Sequence, residues 1–324
     1  MRIAIIGTSN SILRGGYVAG IEKFPGVFVK NMSRGASTTV LLPALVKKHD
    51  YGQYDYIVFD FGVNEEAWVR AGTTTLAQIQ DNIETFLSCI HASNAVPVFC
   101  ILARRDGISA ELPVRRFYRE FARTRGFPCF DSYDFLAERF PSSSSSPPVF
   151  LDDEHLSREI AYQFGAHVAA SLSSRQGCSS TRELKIVRCR RTEFVNYSQM
   201  ETDSLHIVTR TSSLVDESFV QLSGTQAVRV NFPSASEIVG IAINRAQSRG
   251  GLRIVSGGVV SKCLWNDHNY KGDDHSLIYS VFPIKNLPGS SFLLSPGEQD
   301  AVVELNGIVV RRDEEELAYW VLSF

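Results

Sequence analysis

Arg2-Ile3-Ala4-Ile5-Ile6-Gly7-Thr8-Ser9-Asn10-Ser11 opens the chain with an apolar run that ends in a glycine and gives way at once to small polar residues. A run with almost no polar interruption suits a strand covered on both faces, as in a parallel sheet packed between helices. The glycine lets the backbone turn sharply, so the residues after it leave the strand at the sheet's carboxyl edge. Similar runs recur at 27–30, 56–61, 96–102 and 128–130. Between them lie helical patterns: over 75–92, Leu76, Ile79, Ile83, Phe86, Leu87 and Ile90 fall at three- and four-residue spacing, and 113–124 and 157–172 behave alike. Strands alternating with helices in this way predict a flavodoxin-like, doubly wound α/β domain over 1–173, with its site at the carboxyl ends of the strands.

After Leu172 the composition changes. The stretch 174–182 is polar, small and aperiodic, which marks a linker. Beyond it, over 183–324, helical periodicity nearly vanishes, and short strand-like runs at 228–232, 238–243, 252–255, 301–305 and 319–322 are separated by Gly, Ser, Pro and Asn. That spacing predicts an all-β sandwich or jelly roll. A length of 324 residues accommodates two such domains.

Composition excludes several classes. Hydrophobic residues at 44% and charged residues at 21% argue against a disordered or fibrous chain. A net charge of −2 carries no basic stripe for a phosphate backbone. The densest basic stretch, Arg115, Arg116, Arg119, Arg123 and Arg125, is interleaved with apolar helical positions and reads as a solvated helix face, so no nucleic-acid partner is expected. No run reaches the 18 apolar residues of a membrane span, and the opening run is too short for a signal peptide; the expectation is a cytoplasmic protein. Cys89, Cys100, Cys129, Cys178, Cys189 and Cys263 show no CxxC spacing, so neither a zinc site nor a disulfide framework is indicated. A serine run at 142–146 followed by Pro147-Pro148 reads as a surface approach to the loop after it.

Four blocks coincide with strand ends or site loops. Gly7-Thr8-Ser9-Asn10-Ser11 presents Ser9 where a nucleophile belongs, although taken alone it reads as readily as helix capping by Ser9 or Ser11. Asn31-Met32-Ser33-Arg34-Gly35-Ala36-Ser37 offers at Gly35 an unobstructed backbone N–H, one way to build an oxyanion hole, or simply a turn. Phe61-Gly62-Val63-Asn64-Glu65 offers the Asn64 amide to the same oxyanion, or a turn-forming asparagine. In Leu151-Asp152-Asp153-Glu154-His155, residues three apart meet in a tight turn, so Asp152 can accept a ring N–H of His155 and leave the other nitrogen as a base. Asp153 is a possible substitute; otherwise Asp153 and Glu154 read as solvated acids or helix N-terminal charges.

Together these blocks resemble the SGNH (GDSL-like) hydrolase superfamily, in which an N-terminal Ser, a loop Gly, an Asn in a Gly-x-Asn-Asp-like element and a C-terminal Asp-x-x-His follow in this order. The resemblance covers about residues 1–173. It implies Ser9 as nucleophile, the Ser9 amide, Gly35 and Asn64 as oxyanion donors, and Asp152 and His155 as the rest of a triad. Thr8 and Glu65 depart from the pattern, standing where the family often has Asp. No Gly-x-Ser-x-Gly frames Ser9, which excludes the elbow of the α/β-hydrolases.

By this resemblance the chain is expected to be a serine esterase removing small acyl groups, acetyl first, from a carbohydrate, with no cofactor. The triad serves equally an O-acyltransferase that takes an acyl donor and decorates a polysaccharide or its precursor. A reading of another class is a non-catalytic glycan-binding protein with a degenerate α/β domain. In the second domain Trp265 and Tyr270, like Trp320, are of the type that stacks on sugar rings, though packing serves each as well. His268, Asp273, Asp274 and His275 have no spacing that fixes a metal, and none is expected.

Overall fold

The structure is a computed structural model that describes residues 1–46, 48–91, 93–140, 149–175, 191–202, 206–212, 214–264 and 277–312. Trp265, Tyr270, Trp320, the metal-like quartet near 270, the run at 319–322 and most of the stretch 174–182 lie outside them. The elements of the N-terminal half are β1 (Arg2–Gly7), α1 (Ser9–Ile12), α2 (Tyr17–Glu22), β2 (Phe28–Asn31), α3 (Leu42–Val46), β3 (Tyr56–Asp60), α4 (Gly62–Arg70), α5 (Leu76–Ile90), β4 (Val96–Ile101), α6 (Pro113–Arg125), β5 (Cys129–Asp131), α7 (Ser132–Arg139) and α8 (Arg158–Arg175). Then follow β6 (Arg191–Asn196), β7 (His206–Thr211), β8 (Asp216–Ser223), β9 (Val228–Asn244), β10 (Leu252–Ser256), β11 (Val259–Cys263), β12 (Tyr279–Pro296) and β13 (Val302–Arg312). The chain forms two compact units, one of Met1–Thr38, His49–Leu76 and Leu87–Ile186, the other of Thr39–Lys48, Ala77–Phe86 and Val187–Phe324.

The first unit is built on a five-stranded sheet ordered β2-β1-β3-β4-β5, parallel throughout. β1 and β3 are its middle: Ile3, Ile5, Ile6, Ile57, Val58 and Phe59 are all buried, as an apolar run demands when helices cover both faces. The sequence places all five strands to within a residue or two. α6 runs from Pro113, whose missing N–H suits a first helical turn, to a left-handed Gly126 at its end. Among its five arginines, Arg115 and Arg119 are ion-paired with Asp131 and Asp134, and Arg123 with Glu120.

The second unit carries an antiparallel sheet ordered β11-β10-β12-β9-β13-β8-β7, with β6 also pairing β13. The runs 228–232 and 238–243 prove to be one strand, β9, because Pro233-Ser234-Ala235-Ser236 between them does not turn the chain back. Instead the register with β12 shifts there, between Gly289 and Ser291, so the pair bends and carries on. Such bulges let one sheet curl over its own core. Phe219 of β8 and Tyr279 of β12, separated by two strands in the sheet order, meet with ring centroids 6.0 Å apart and planes tilted by 52°. The interior includes Phe219, Ile241, Ile243, Phe292, Leu294, Val303 and Ile308. One buried charge, Glu304, is satisfied by the Arg210 guanidinium (2.5 Å) and the Asn244 amide (2.7 Å), as a carboxylate out of water requires. Residues 39–48 and 77–86 join this unit through Lys48–Glu217 (2.7 Å) and Gln78–Asn286 (2.7 Å).

Candidate active site

The turn after β1 is forced by Gly7. Its Cα faces Asp60 across the β1–β3 pair, and a Cβ there would collide with the Ser11 hydroxyl and lie 2.9 Å from the Asp60 Cβ. The chain therefore leaves the sheet at its carboxyl edge and forms α1, a single turn. Thr8 is its N-cap but makes no side-chain capping bond. Neither serine caps either. Ser9 Oγ lies 2.8 Å from His155 Nε2, and Ser11 Oγ donates to Asp60 Oδ2 at 2.8 Å.

Three consecutive residues of α1 thus reach two parts of the unit, the histidine loop and the end of β3. Between the two serines, Asn10 donates its amide to the Glu154 carbonyl at 3.3 Å. A fourth tie comes from Asn31 at the end of β2, which donates to the Ser11 carbonyl (2.7 Å) and accepts from the Ser33 amide (3.0 Å). Ser9 itself is half-buried, and its position is set by bonds made by its neighbours.

The histidine loop is organised by Asp152. Its Oδ1 accepts the backbone N–H groups of Glu154 (2.8 Å) and His155 (2.9 Å), while the imidazole Nδ1 lies 2.9 Å from Oδ1 and 2.8 Å from Oδ2. A carboxylate can only accept, so Nδ1 carries the ring proton and Nε2 faces Ser9 with its lone pair. Partial burial works against the Asp152 carboxylate, but the Glu154 amide and the His155 ring outweigh it and hold its pKa below the ordinary aspartate value. Asp153, the possible substitute, pairs with Arg105 (3.0 Å) with 78% of its side chain exposed, and Glu154 pairs with Arg104 (2.9 Å).

Asn64 lies in the first turn of α4 and donates to the Ser37 carbonyl at 3.0 Å, which joins it to the loop carrying Gly35. One of its two amide protons is used there. In that loop Arg34 is buried and donates to the Met32 and Ser33 carbonyls, and Ala36 adopts a left-handed φ of 56°, a strained conformation for a residue with a Cβ. Glu65, where the family pattern has Asp, is buried and accepts from the Tyr118 hydroxyl; burial and this carboxylate hold that phenol well above its ordinary pKa.

Sequence reasoning assigned no role to four residues that shape the site: Asn10, Asn31, Asp60 and Arg104. Asp60 ends β3, fully buried, and burial pushes its pKa up to about 7 against the opposing bonds from Ser11 and Tyr17. A charged residue ending an otherwise apolar strand is a signal that was present in the chain. Arg104, which follows β4, had no such signal.

No family model and no curated protein sequence matches the chain. Among solved structures, it is similar to a two-domain esterase, CEX, active on acetylated mannans and co-crystallised with mannopentaose: TM-score 0.68 at 11% identity, over 97% of this chain and 91% of that one. Another crystal structure of a two-domain esterase active on acetylated mannans gives a TM-score of 0.66 at 12% identity, over 97% of this chain and 92% of that one. The likeness shows a shared two-domain fold. In that fold a parallel α/β sheet is accompanied here by a separate, curled antiparallel sheet. Among the described residues, no group of three His, Cys, Asp or Glu side chains is placed to hold a metal ion, and no helix is long and apolar enough to cross a membrane.

Proposed function

We propose that this chain is a serine esterase that removes small acyl groups, acetyl first among them, from a carbohydrate. The observation that carries the reading is the unbroken line from Ser9 Oγ through the His155 ring to Asp152, with contacts of 2.8 Å at both ends. Ser9 Oγ attacks the ester carbonyl carbon while Nε2 takes its proton. The tetrahedral oxyanion is met by the Ser9 and Gly35 amides and the second amide proton of Asn64. Collapse breaks the bond to the sugar oxygen, which leaves with the proton from Nε2. Water then repeats the sequence on the acyl-enzyme, giving up a proton to Nε2, and acetate departs as Ser9 recovers its hydrogen. Asp152 holds the tautomer and stabilises the imidazolium formed in each half.

The carbohydrate part of the reading is supported by the resemblance, over nearly the whole chain, to an esterase active on acetylated mannans. The test is a serine-directed fluorophosphonate. It is expected to label the wild-type chain at Ser9 and to leave Ser9→Ala and His155→Ala unlabelled, and acetate release from acetylated manno-oligosaccharides should disappear in the same variants. Wild-type protein that neither labels nor releases acetate would reject the reading. Transfer of acetyl to an added oligosaccharide in preference to water would replace hydrolysis with acyl transfer.

A further inference from the structure

We propose that Arg104 is a positioning residue that braces the His155 loop against the turn bearing Asn64, an inference that rests on the serine-esterase reading above. Its side chain is 12% exposed, and two of its three side-chain bonds join parts of the site. Nη1 donates to the Val63 carbonyl (3.1 Å), one residue before Asn64, and to Glu154 Oε1 (2.9 Å), one residue before His155; Nε donates to Asp106 (3.1 Å). Glu154 is thereby gripped twice, since its carbonyl accepts from Asn10, next to Ser9. One cation therefore connects the base, the amide donor and, through Glu154, the nucleophile's helix.

The brace is itself held from below. Ser132 and Tyr133, at the start of α7, accept the backbone N–H groups of Ala103 (2.7 Å) and Arg104 (2.9 Å) through their hydroxyls. Gly107 makes room for this, because a Cβ there would occupy the place of the Tyr133 hydroxyl. The next residue repeats the pattern, with the Arg105 amide donating to the Asp153 carbonyl at 3.0 Å. Two successive residues after β4 thus hold two successive residues of the histidine loop. Asp152 alone fixes the ring within its own turn; Arg104 fixes where that turn lies. A planar, always-charged guanidinium suits this task, since its Nε holds Asp106 while Nη1 serves the Val63 carbonyl and the Glu154 carboxylate, two separated donor positions that a single ammonium nitrogen does not offer.

The experiment compares the full-length wild type, Ser9→Ala, Arg104→Gln, Arg104→Lys, Glu154→Gln and the Arg104→Gln/Glu154→Gln double variant on p-nitrophenyl acetate, with thermal midpoints alongside. Displacement of a catalytic group by about 1 Å can lower a rate by roughly a hundredfold, so Arg104→Gln is expected to lose about ten- to a hundredfold in kcat with KM changed less than about twofold. Arg104→Lys should fall between it and wild type, added guanidinium ion should restore part of the Arg104→Gln rate, and the double variant should lose little beyond Arg104→Gln. A kcat within about twofold of wild type in both Arg104→Gln and Arg104→Lys overturns the brace. So does a loss confined to KM, or one that follows the folded fraction and is not relieved by guanidinium. If Arg104→Gln does not fold, Arg104→Lys and Glu154→Gln decide, each expected to lose kcat and not KM. Wild-type turnover no greater than that of Ser9→Ala fails the esterase reading instead, and takes the brace's role with it.

Discussion

Replacing Asp60 with asparagine should remove a pH dependence of stability that the wild-type chain carries beneath its nucleophile. Asp60 is fully buried at the end of β3, and its pKa is pushed from 3.8 to about 7. Below about pH 4 the carboxyl is protonated in folded and unfolded chains alike, and Asp60 imposes no ionisation cost on the fold. Between about 4 and 7 the unfolded chain has lost the proton and the folded chain retains it, so stability falls as pH rises; above 7 the loss is complete. A shift of roughly three pH units corresponds to on the order of 4 kcal/mol, and burial tends to be relieved by local adjustment, so the measured change should not exceed this. Asparagine preserves the shape and has no proton to lose. Ser11, placed between Asp60 Oδ2 (2.8 Å) and the Tyr17 hydroxyl (2.7 Å), can reverse its donor direction and serve either partner. Urea denaturation of wild type and Asp60→Asn at about pH 4.5, 6 and 8 gives the difference at each pH, in which every other titrating group cancels. The variant should gain on wild type steadily toward pH 8. A difference that stays constant across the range would show that Asp60 ionises normally and that the reasoning from burial is wrong.

Two further outcomes bear on the chemistry. Asn64→Ala should lower kcat by roughly a hundredfold or more, since one oxyanion donor is worth about 2.7–4 kcal/mol; steady-state kinetics on an acetyl ester check this, and a near-wild-type kcat would remove Asn64 from the oxyanion hole. Asp152→Ala should be milder, because 53% of the Asp152 side chain is exposed and water can replace part of its hydrogen bonding. A charge-assisted hydrogen bond contributes about 1.5–3 kcal/mol, so kcat should drop roughly ten- to a hundredfold, and in a Ser9→Ala background the same change should have no further effect.

The parallel sheet was legible because its strands are covered on both faces and its long helices repeat at a helical period; both are local properties. The antiparallel sheet was legible only in class. β12 was missed because Pro283, Pro288 and Gly289 read as breaks, yet all three lie at or beside register shifts, where a strand can lack a ladder bond and still continue. A short element escaped for another reason: α2, six residues long, is too brief to display a period.

The site divides along the same line. Asp152 and His155 are three residues apart, so their pairing follows from the geometry of one turn and could be stated before any fold was known. The bonds that align them with the nucleophile are of another kind. Ser9 reaches 146 residues along the chain to His155, Asn10 reaches 144 to Glu154, and Ser11 reaches 49 to Asp60. Residue type alone cannot anticipate such contacts, because a serine, an asparagine and a serine after a glycine are equally the composition of a capped helix. What distinguishes the two cases is the sheet. β1 and β3 are adjacent and in parallel register, with Gly7 opposite Asp60, so whatever follows Gly7 must stand over the end of β3. A side chain at Gly7 would therefore displace Ser11 from Asp60 and, with it, the turn that presents Ser9. Position 7, chemically inert, should be as intolerant of substitution as the nucleophile two residues later.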